Sequence, residues 1–262
     1  TFTWGISGGT LLGGQGGAAI TFRADNLGTL TLSCVATNSA SVASSVANAV
    51  VNVQAPPSSS VPAQGTATTL DIAEWNLEWF GDTSNGPKNE DLQLENIRNV
   101  IAGADCDIWS LEEVVSGTSF TNLVSALPGY AGLVASDPAV VNGSSFYTAS
   151  EQKVALLYKT SLATVQSAQL ILTSSDYAFA GRPPMEVKLS VRWNGTSSTL
   201  YVICLHAKAA DDATSWQRRV DASVALKNYL DTNRAGEKVI VLGDFNDDFD
   251  TSITSGKASP YQ

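Results

Sequence analysis

Asn76, Glu113, His206, Asp244 and Asn246 each stand where an apolar run stops. Leu70-Asp-Ile-Ala-Glu-Trp-Asn76 reads as a strand ending in an amide. Asp107-Ile-Trp-Ser-Leu111 runs into Glu112-Glu113-Val114, and Leu200-Tyr-Val-Ile-Cys-Leu205 ends in His206. Lys238-Val-Ile-Val-Leu-Gly-Asp-Phe-Asn246 delivers a carboxylate and an amide. One such ending is ordinary turn chemistry, because Gly, Asp and Asn are common turn residues. Four in one stretch of chain point to strand ends gathered on one edge, where layered α/β proteins assemble their sites. The residue types also agree on a reaction. Glu113 is a hard oxygen ligand suited to Mg2+, Mn2+ or Ca2+. His206 can exchange a proton near neutral pH. Asp244 can orient or deprotonate a water, and Asn76 and Asn246 can donate to a phosphoryl oxygen without adding negative charge. Arg182 can pair with a phosphate in bidentate fashion. Together these groups equip metal-assisted phosphoester hydrolysis.

The elements that must position them follow from periodicity. Asn89 to Ala102 places Leu94, Ile97, Val100 and Ile101 at helical spacing, with Gly103 as a stop. Phe120 to Leu127 is a short helix ended by Pro128-Gly129. Lys153 to Tyr158 and Leu162 to Thr173 read as strands, and Met185 to Trp193 alternates into a hairpin turn at Asn194-Gly195. Ser215 is the expected N-cap of a helix running to about Leu230, with Trp216, Val220, Leu226 and Leu230 on its apolar side. Many strands with few helices between them suggest two sheets with helices outside rather than a doubly wound array.

Upstream the composition changes. Residues 1–54 are rich in Gly, Ser, Thr, Ala and Val, with strand patterns at Ala19 to Arg23, Thr29 to Val35 and Val46 to Val53. Their spacing suggests a β-sandwich with Trp4 as a core aromatic. Residues 55–68, Pro- and Ser-rich, read as a solvated linker. The 262 residues carry a net charge of -10, yet between residues 1 and 68 only Arg23 and Asp25 are charged. An acidic domain does not attract polyanions by its overall field, so a phosphate substrate requires a metal and local Arg or Lys. Apolar content of 44% supports a packed core. No run is long enough for a membrane span, so stable membrane insertion is not expected. Cys34, Cys106 and Cys204 show no zinc spacing; Cys204 reads as a buried hydrophobe, with a Cys106–Cys204 disulfide left open. The low Lys content suits a secreted bacterial protein, with no signal peptide in this chain. Oligomeric state is not legible.

Asn76-Leu-Glu-Trp-Phe80, Leu111-Glu-Glu-Val114, Ser150-Glu151-Gln152, Leu205-His206-Ala207 and Gly243-Asp-Phe-Asn246 occur in an order that resembles the endonuclease/exonuclease/phosphatase family, which includes deoxyribonuclease I. The resemblance covers residues 69–262. It implies an α+β fold: a four-layer α/β-sandwich of two mostly antiparallel sheets flanked by helices. The preceding residues resemble a partial Ig-like or PKD-like β-sandwich module. The resemblance further implies Mg2+ (or Mn2+ or Ca2+) held by Glu113 with help from Asn76, and Glu112 in the position of the family's Gln. Glu151 would pair with the catalytic His206. Arg182, Asn76 and Asn246 would bind phosphate, and Asp244 and Asn246 would position the attacking water. The expected activity is phosphodiester hydrolysis, with nucleic acid as the substrate. The alternatives are a phospholipid or phosphomonoester hydrolase of the same family, or a binding protein that has lost catalysis. Family members continue past Gly-Asp-Phe-Asn to a strand bearing an Asp-His pair. This chain ends at Gln262 with His206 as its single histidine. The expectation is therefore a domain lacking its closing strands and inactive, or nearly so, by itself. Simpler readings attach to other residues: Arg218 and Arg219 as a solvated helix face, Asp247, Asp248 and Asp250 as a solvated acidic loop, and Trp79-Phe80 as core.

Overall fold

The computed structural model describes residues 1–26, 28–53, 61–193 and 195–262. The chain divides into two compact units, Thr1–Ser58 and Ser59–Gln262. In the first, strands β1 (Phe2–Ser7), β2 (Gly9–Gly13), β3 (Thr21–Ala24), β4 (Gly28–Ala36) and β5 (Ala47–Val53) form two antiparallel sheets, ordered β1-β4-β5 and β2-β3. Among the described residues of this unit only Leu30 is buried. Trp4 is half-buried and donates its indole N–H to the Gly17 carbonyl at 2.9 Å, so it edges the sheet rather than filling a core. The first part of the expected linker, residues 55–60, lies outside the described residues. Its last part is not free: Val61 packs on the second unit's core, and the Gln64 and Gly65 amides both donate to the Ala104 carbonyl.

The second unit runs β6 (Ile72–Phe80), α1 (Glu90–Ala104), β7 (Ile108–Val114), α2 (Gly117–Ser125), β8 (Tyr130–Val134), β9 (Val140–Val141), α3 (Gly143–Phe146), β10 (Lys153–Lys159), β11 (Ala163–Leu170), β12 (Met185–Trp193), β13 (Thr196–His206), α4 (Ala213–Asn233) and β14 (Val239–Asp244). Its two sheets have the orders β6-β7-β10-β8 and β14-β13-β12-β11-β9. Their centres are antiparallel, but β6/β7, β13/β14 and β11/β9 are parallel edges. A parallel pair needs a crossover, and α1 and α4 supply it for the first two. The chain thus contains a β6-α1-β7 unit in one sheet and a β13-α4-β14 unit in the other, and β14 packs against β6 and β7. Glu113, His206 and Asp244 stand at the C-terminal ends of β7, β13 and β14, and Asn76 stands in the middle of β6, which continues to Phe80 rather than stopping at the amide.

Strand period explains the layers. Ile108, Val154 and Leu156 face Met185, Val187, Leu189, Val202 and Cys204 between the sheets. Trp109, Leu111, Ala155 and Leu157 face outward onto Ile97 and Ile101 of α1 and Phe120 and Leu123 of α2. Cys106 and Cys204 belong to these two different clusters and both are free thiols, so the disulfide left open in the sequence does not form. Helix ends also shift from expectation. α1 includes Gly103 and stops where Asp105 turns left-handed (φ 54°). α4 starts three residues early, with Asp212 rather than Ser215 as its N-cap, because the Asp212 carboxylate accepts the Thr214 and Ser215 amides and the Ser215 hydroxyl. Asn194 of the expected hairpin turn lies outside the described residues; Trp193 and Thr196 pair across it.

Candidate active site

Local backbone distortion aims the first carboxylate. β6 and β7 pair in register as far as Asn76↔Glu112, and the next partners are Phe80↔Val114, so Leu77, Glu78 and Trp79 bulge out. Glu78, Trp79 and Glu113 all take positive φ, at 52°, 56° and 59°. Such conformations cost on the order of 1 kcal/mol each and cluster where the chain needs an unusual direction. Here the bulge delivers the Trp79 amide to Glu113 Oε2 at 3.0 Å. Phe80 becomes fully buried core, as expected, whereas Trp79 stays half-buried at the rim.

The second carboxylate depends on a close approach. Gly243 lies beside Leu205 at φ 141°, and a Cβ there would sit 1.9 Å from the Leu205 carbonyl oxygen. Only glycine lets β14 run this close to β13 and bring Asp244 level with His206. Asn246, in the left-handed conformation Asn tolerates (φ 52°), donates its amide N–H to Asp244 Oδ1 at 2.9 Å. Its side-chain Nδ2 reaches the Ala207 carbonyl at 3.2 Å.

These elements converge on one amide. Asn76 Nδ2 donates to Glu113 Oε1 at 3.1 Å and to Asp244 Oδ2 at 3.0 Å, while its Oδ1 accepts the Glu78 amide at 3.0 Å. Both amide hydrogens are used, so Asn76 is the spacer between the carboxylates and has no donor left for a phosphate. The same two oxygens each lie 3.8 Å from His206 Nε2, too long for a hydrogen bond. His206 is 2 % exposed, and its Nδ1 has no partner. Burial, joined by the Arg182 charge, pushes its pKa down to about 3 against the opposing pull of Asp244. The imidazole is neutral at pH 7.

Arg182 fastens the surroundings. Its guanidinium donates to Gln152 Oε1 at 2.6 Å and to the Ala207 carbonyl at 3.0 Å, leaving the buried Nε unpartnered. Burial lowers its pKa while Tyr147, Glu113 and Asp244 act in the opposite sense. Glu151 departs from the expected role. Its Oε2 accepts from the Thr148 amide at 2.6 Å and from the Thr148 hydroxyl, closing its own turn, and it makes no bond to His206. That turn is anchored by Lys153, whose buried ammonium donates to the Val115 carbonyl at 2.7 Å and the Glu151 carbonyl at 2.9 Å.

Glu112 lies beneath the site between the sheets and is wholly buried. Ser110 donates to its Oε1 at 2.6 Å, and Oε2 has no partner. Burial, with the charges of Glu74 and Asp244 adding to it against the Ser110 bond, pushes its pKa up to about 8. At neutral pH Glu112 is therefore a carboxylic acid, an isostere of Gln.

Two residues read as solvated prove to be the frame of the site. Arg219 and Asp247 have fully buried side chains and meet at 2.8 Å. Arg219 also donates to the Lys208 and Ala210 carbonyls at 2.8 and 2.7 Å and to Thr254 Oγ1 at 3.1 Å. One guanidinium thus ties down the loop after His206 and the loop after Asn246. Helical spacing carried a signal for this: Ser215, Arg219, Ala222 and Leu226 form one stripe, and the first three are buried. Asp248 and Asp250 remain exposed, as expected.

The donor chemistry fits a hard divalent cation. Among the described residues no Lys or Arg side chain bonds the converging carboxylate oxygens of Glu113 and Asp244, and the guanidinium beside them is committed elsewhere. Among the described residues no three His, Cys, Asp or Glu side chains gather as a ready-made cage, so an ion here would keep water ligands.

A sequence model described as the endonuclease/exonuclease/phosphatase family matches residues 73–259. No curated protein matches the chain. Solved structures with a similar fold include D. rerio TDP2 complexed with a single-strand DNA product (TM-score 0.51, 14% identity, 68% of this chain and 60% of that one). A second is an endonuclease/exonuclease/phosphatase family protein from Bacteroides thetaiotaomicron (0.50, 15%, 73% and 65%). A third is a functionally unknown conserved protein from Enterococcus faecalis V583 (0.52, 16%, 73% and 70%). The chain spans less than two thirds of the length of several matched structures: 60% of the D. rerio TDP2 complex, 65% of the Bacteroides thetaiotaomicron protein and 62% of a humanized D. rerio TDP2.

Proposed function

The chain belongs to the endonuclease/exonuclease/phosphatase family, and from that premise we propose that it is the hydrolytic part of a secreted, divalent-metal-dependent phosphodiesterase acting on nucleic acid. The observation that carries this reading is the convergence of Glu113 and Asp244 on the Asn76 amide beside a neutral, buried His206. Glu113, with the remaining Asn76 Oδ1 lone pair, would hold Mg2+, Mn2+ or Ca2+, and such an ion supplies Lewis-acid polarisation of a phosphoryl oxygen when bound. The other roles belong to the chain itself. Asp244 orients the attacking water. His206, neutral at pH 7, has a free ring nitrogen to accept a hydrogen bond or proton from the attacking water. Asn246 keeps one side-chain N–H for a phosphoryl oxygen, and Arg182 provides the local positive charge that an acidic protein needs there. The D. rerio TDP2 complex with a single-strand DNA product supports nucleic acid as the substrate class. Among the described residues no helix is long and apolar enough to cross a membrane. Secretion rests on composition alone.

A substrate panel tests the assignment in the full-length protein. Single-stranded DNA, RNA, a sphingomyelin vesicle and a sugar phosphate are compared at equal metal concentration. Preferential cleavage of an oligonucleotide is the expected result. Turnover of only the lipid or the phosphomonoester overturns the substrate class while keeping the family chemistry.

A further inference from the structure

Tyr177 is 68% exposed, and no described aromatic side chain is more so. It stands on the loop between β11 and β12 that also carries Arg182. That loop is not loose: the Ala178 amide donates to the Ser175 carbonyl at 2.9 Å and the Arg182 amide to the Phe179 carbonyl at 3.0 Å. Phe179 and Ala178 are buried against Ala222 of α4. A large ring is thus held out into solvent by an anchored backbone. Arg218 fixes it further. Its Nε donates to the Tyr177 carbonyl at 2.8 Å, and its guanidinium lies 4.2 Å from the ring centroid. A cation lies over the ring, and the residue is nonetheless mostly exposed. Arg218 adjoins Arg219, which clamps the loops bearing His206 and Asn246, and its charge is felt at Arg182.

Such an arrangement has a chemical preference. A fixed aromatic with a guanidinium behind it stacks a planar base, and the guanidinium adds attraction for a nearby phosphate. The protein as a whole carries a charge of -10 and repels polyanions, so binding energy has to come from local features of this kind.

We propose that Tyr177, backed by Arg218, is a nucleobase-stacking platform at the rim of the candidate active site, so that a base is held on the ring while its phosphate chain leads toward Arg182. The inference rests on the nucleic-acid reading above and deepens it. The platform distinguishes a nucleic-acid substrate from a lipid or sugar phosphate, because neither of those offers a planar base to the ring.

The test is binding rather than turnover. Fluorescence anisotropy compares a short single-stranded oligothymidylate with an abasic deoxyribose-phosphate oligomer of equal length, at fixed low salt with chelator present. Wild-type protein binds the oligothymidylate more tightly. Tyr177→Ala, at an exposed position, weakens oligothymidylate binding about tenfold and leaves the abasic oligomer unchanged, while Tyr177→Trp retains the preference. The platform is overturned if Tyr177→Ala binds as wild type does, or loses both oligomers equally; in either case the hydrolase reading stands. Failure of the wild-type protein to bind either oligomer overturns the nucleic-acid reading and the platform together.

Discussion

Arg219→Met removes one charge from the most enclosed ion pair of the second unit while keeping an apolar stem of similar length. Arg219 makes side-chain bonds to Asp247 at 2.8 Å, to the Lys208 and Ala210 carbonyls at 2.8 and 2.7 Å, and to Thr254 at 3.1 Å. Both members of the pair are at 0% side-chain exposure, so solvent does not screen the loss. Removing one partner of a buried pair costs about 3–5 kcal/mol. Asp247 keeps the Ser252 hydroxyl at 2.9 Å and the Ile253 amide at 2.8 Å, which favours the lower end. For a domain of this size about 3 kcal/mol corresponds to a fall in Tm of roughly 6–12 °C. The readout is intrinsic tryptophan fluorescence, because Trp75, Trp79, Trp109, Trp193 and Trp216 all lie in Ser59–Gln262 while only Trp4 lies in the first unit. Arg219→Met/Asp247→Asn removes the stranded charge as well and should lose less than the sum of the single variants, with a coupling of roughly 1–3 kcal/mol. Acid dependence carries the same signature. Burial raises the Asp247 pKa, but the Ile253 amide, the Ser252 hydroxyl and Arg219 together bring it below the usual value. Its stabilisation is therefore complete above about pH 4, the unfolded pKa, and is lost as pH falls below that. A loss under about 1 kcal/mol for Arg219→Met, or strict additivity in the double variant, would refute the keystone role.

Glu112→Gln should change how stability responds to alkali. The folded-state pKa of Glu112 is raised to about 8, so its protonated form is fully stabilising below the unfolded value near 4.5, and that contribution is lost as pH rises through 8. The Gln variant lacks this titration, so its Tm should fall less than that of wild type between mildly acidic and alkaline pH; parallel profiles would contradict the assignment. The metal site has a calorimetric counterpart. Saturating Mg2+ or Mn2+ at about a hundred times Kd should stabilise the second unit by about 2.7 kcal/mol. Glu113→Gln should abolish that shift, and an equal shift in the variant would place the ion elsewhere.

The strands that carry the site were legible because each is a short apolar run whose end is marked by a polar residue. Asn76, Glu113, His206, Asp244 and Asn246 were found that way, and they do lie together. Their mutual arrangement was not legible. The Asn76–Asp244 bond joins residues 168 apart and depends on a bulge in β6 and on the approach of β14 to β13 at Gly243. Nothing in either run alone encodes the pairing of two sheet edges. Arg219 and Asp247 were misread for a related reason. Charge type suggests solvent, and only the stripe of Ser215, Ala222 and Leu226 around Arg219 argues for burial. Glu151 was assigned by resemblance, and the nearby Thr148 satisfied its carboxylate first. The parallel edges followed from the crossover helices α1 and α4, which were expected, although the βαβ units they complete were not.

Hydrolysis of a single-stranded oligonucleotide by the full-length protein, followed with Mg2+, with chelator, and in the Glu113→Gln variant, tests the central claim most directly. The expected result is cleavage that chelator abolishes and restored metal recovers, with Glu113→Gln at least about a hundredfold slower, the scale for loss of one group stabilising developing charge. Cleavage that survives chelation, or a Glu113→Gln rate equal to wild type, would contradict it.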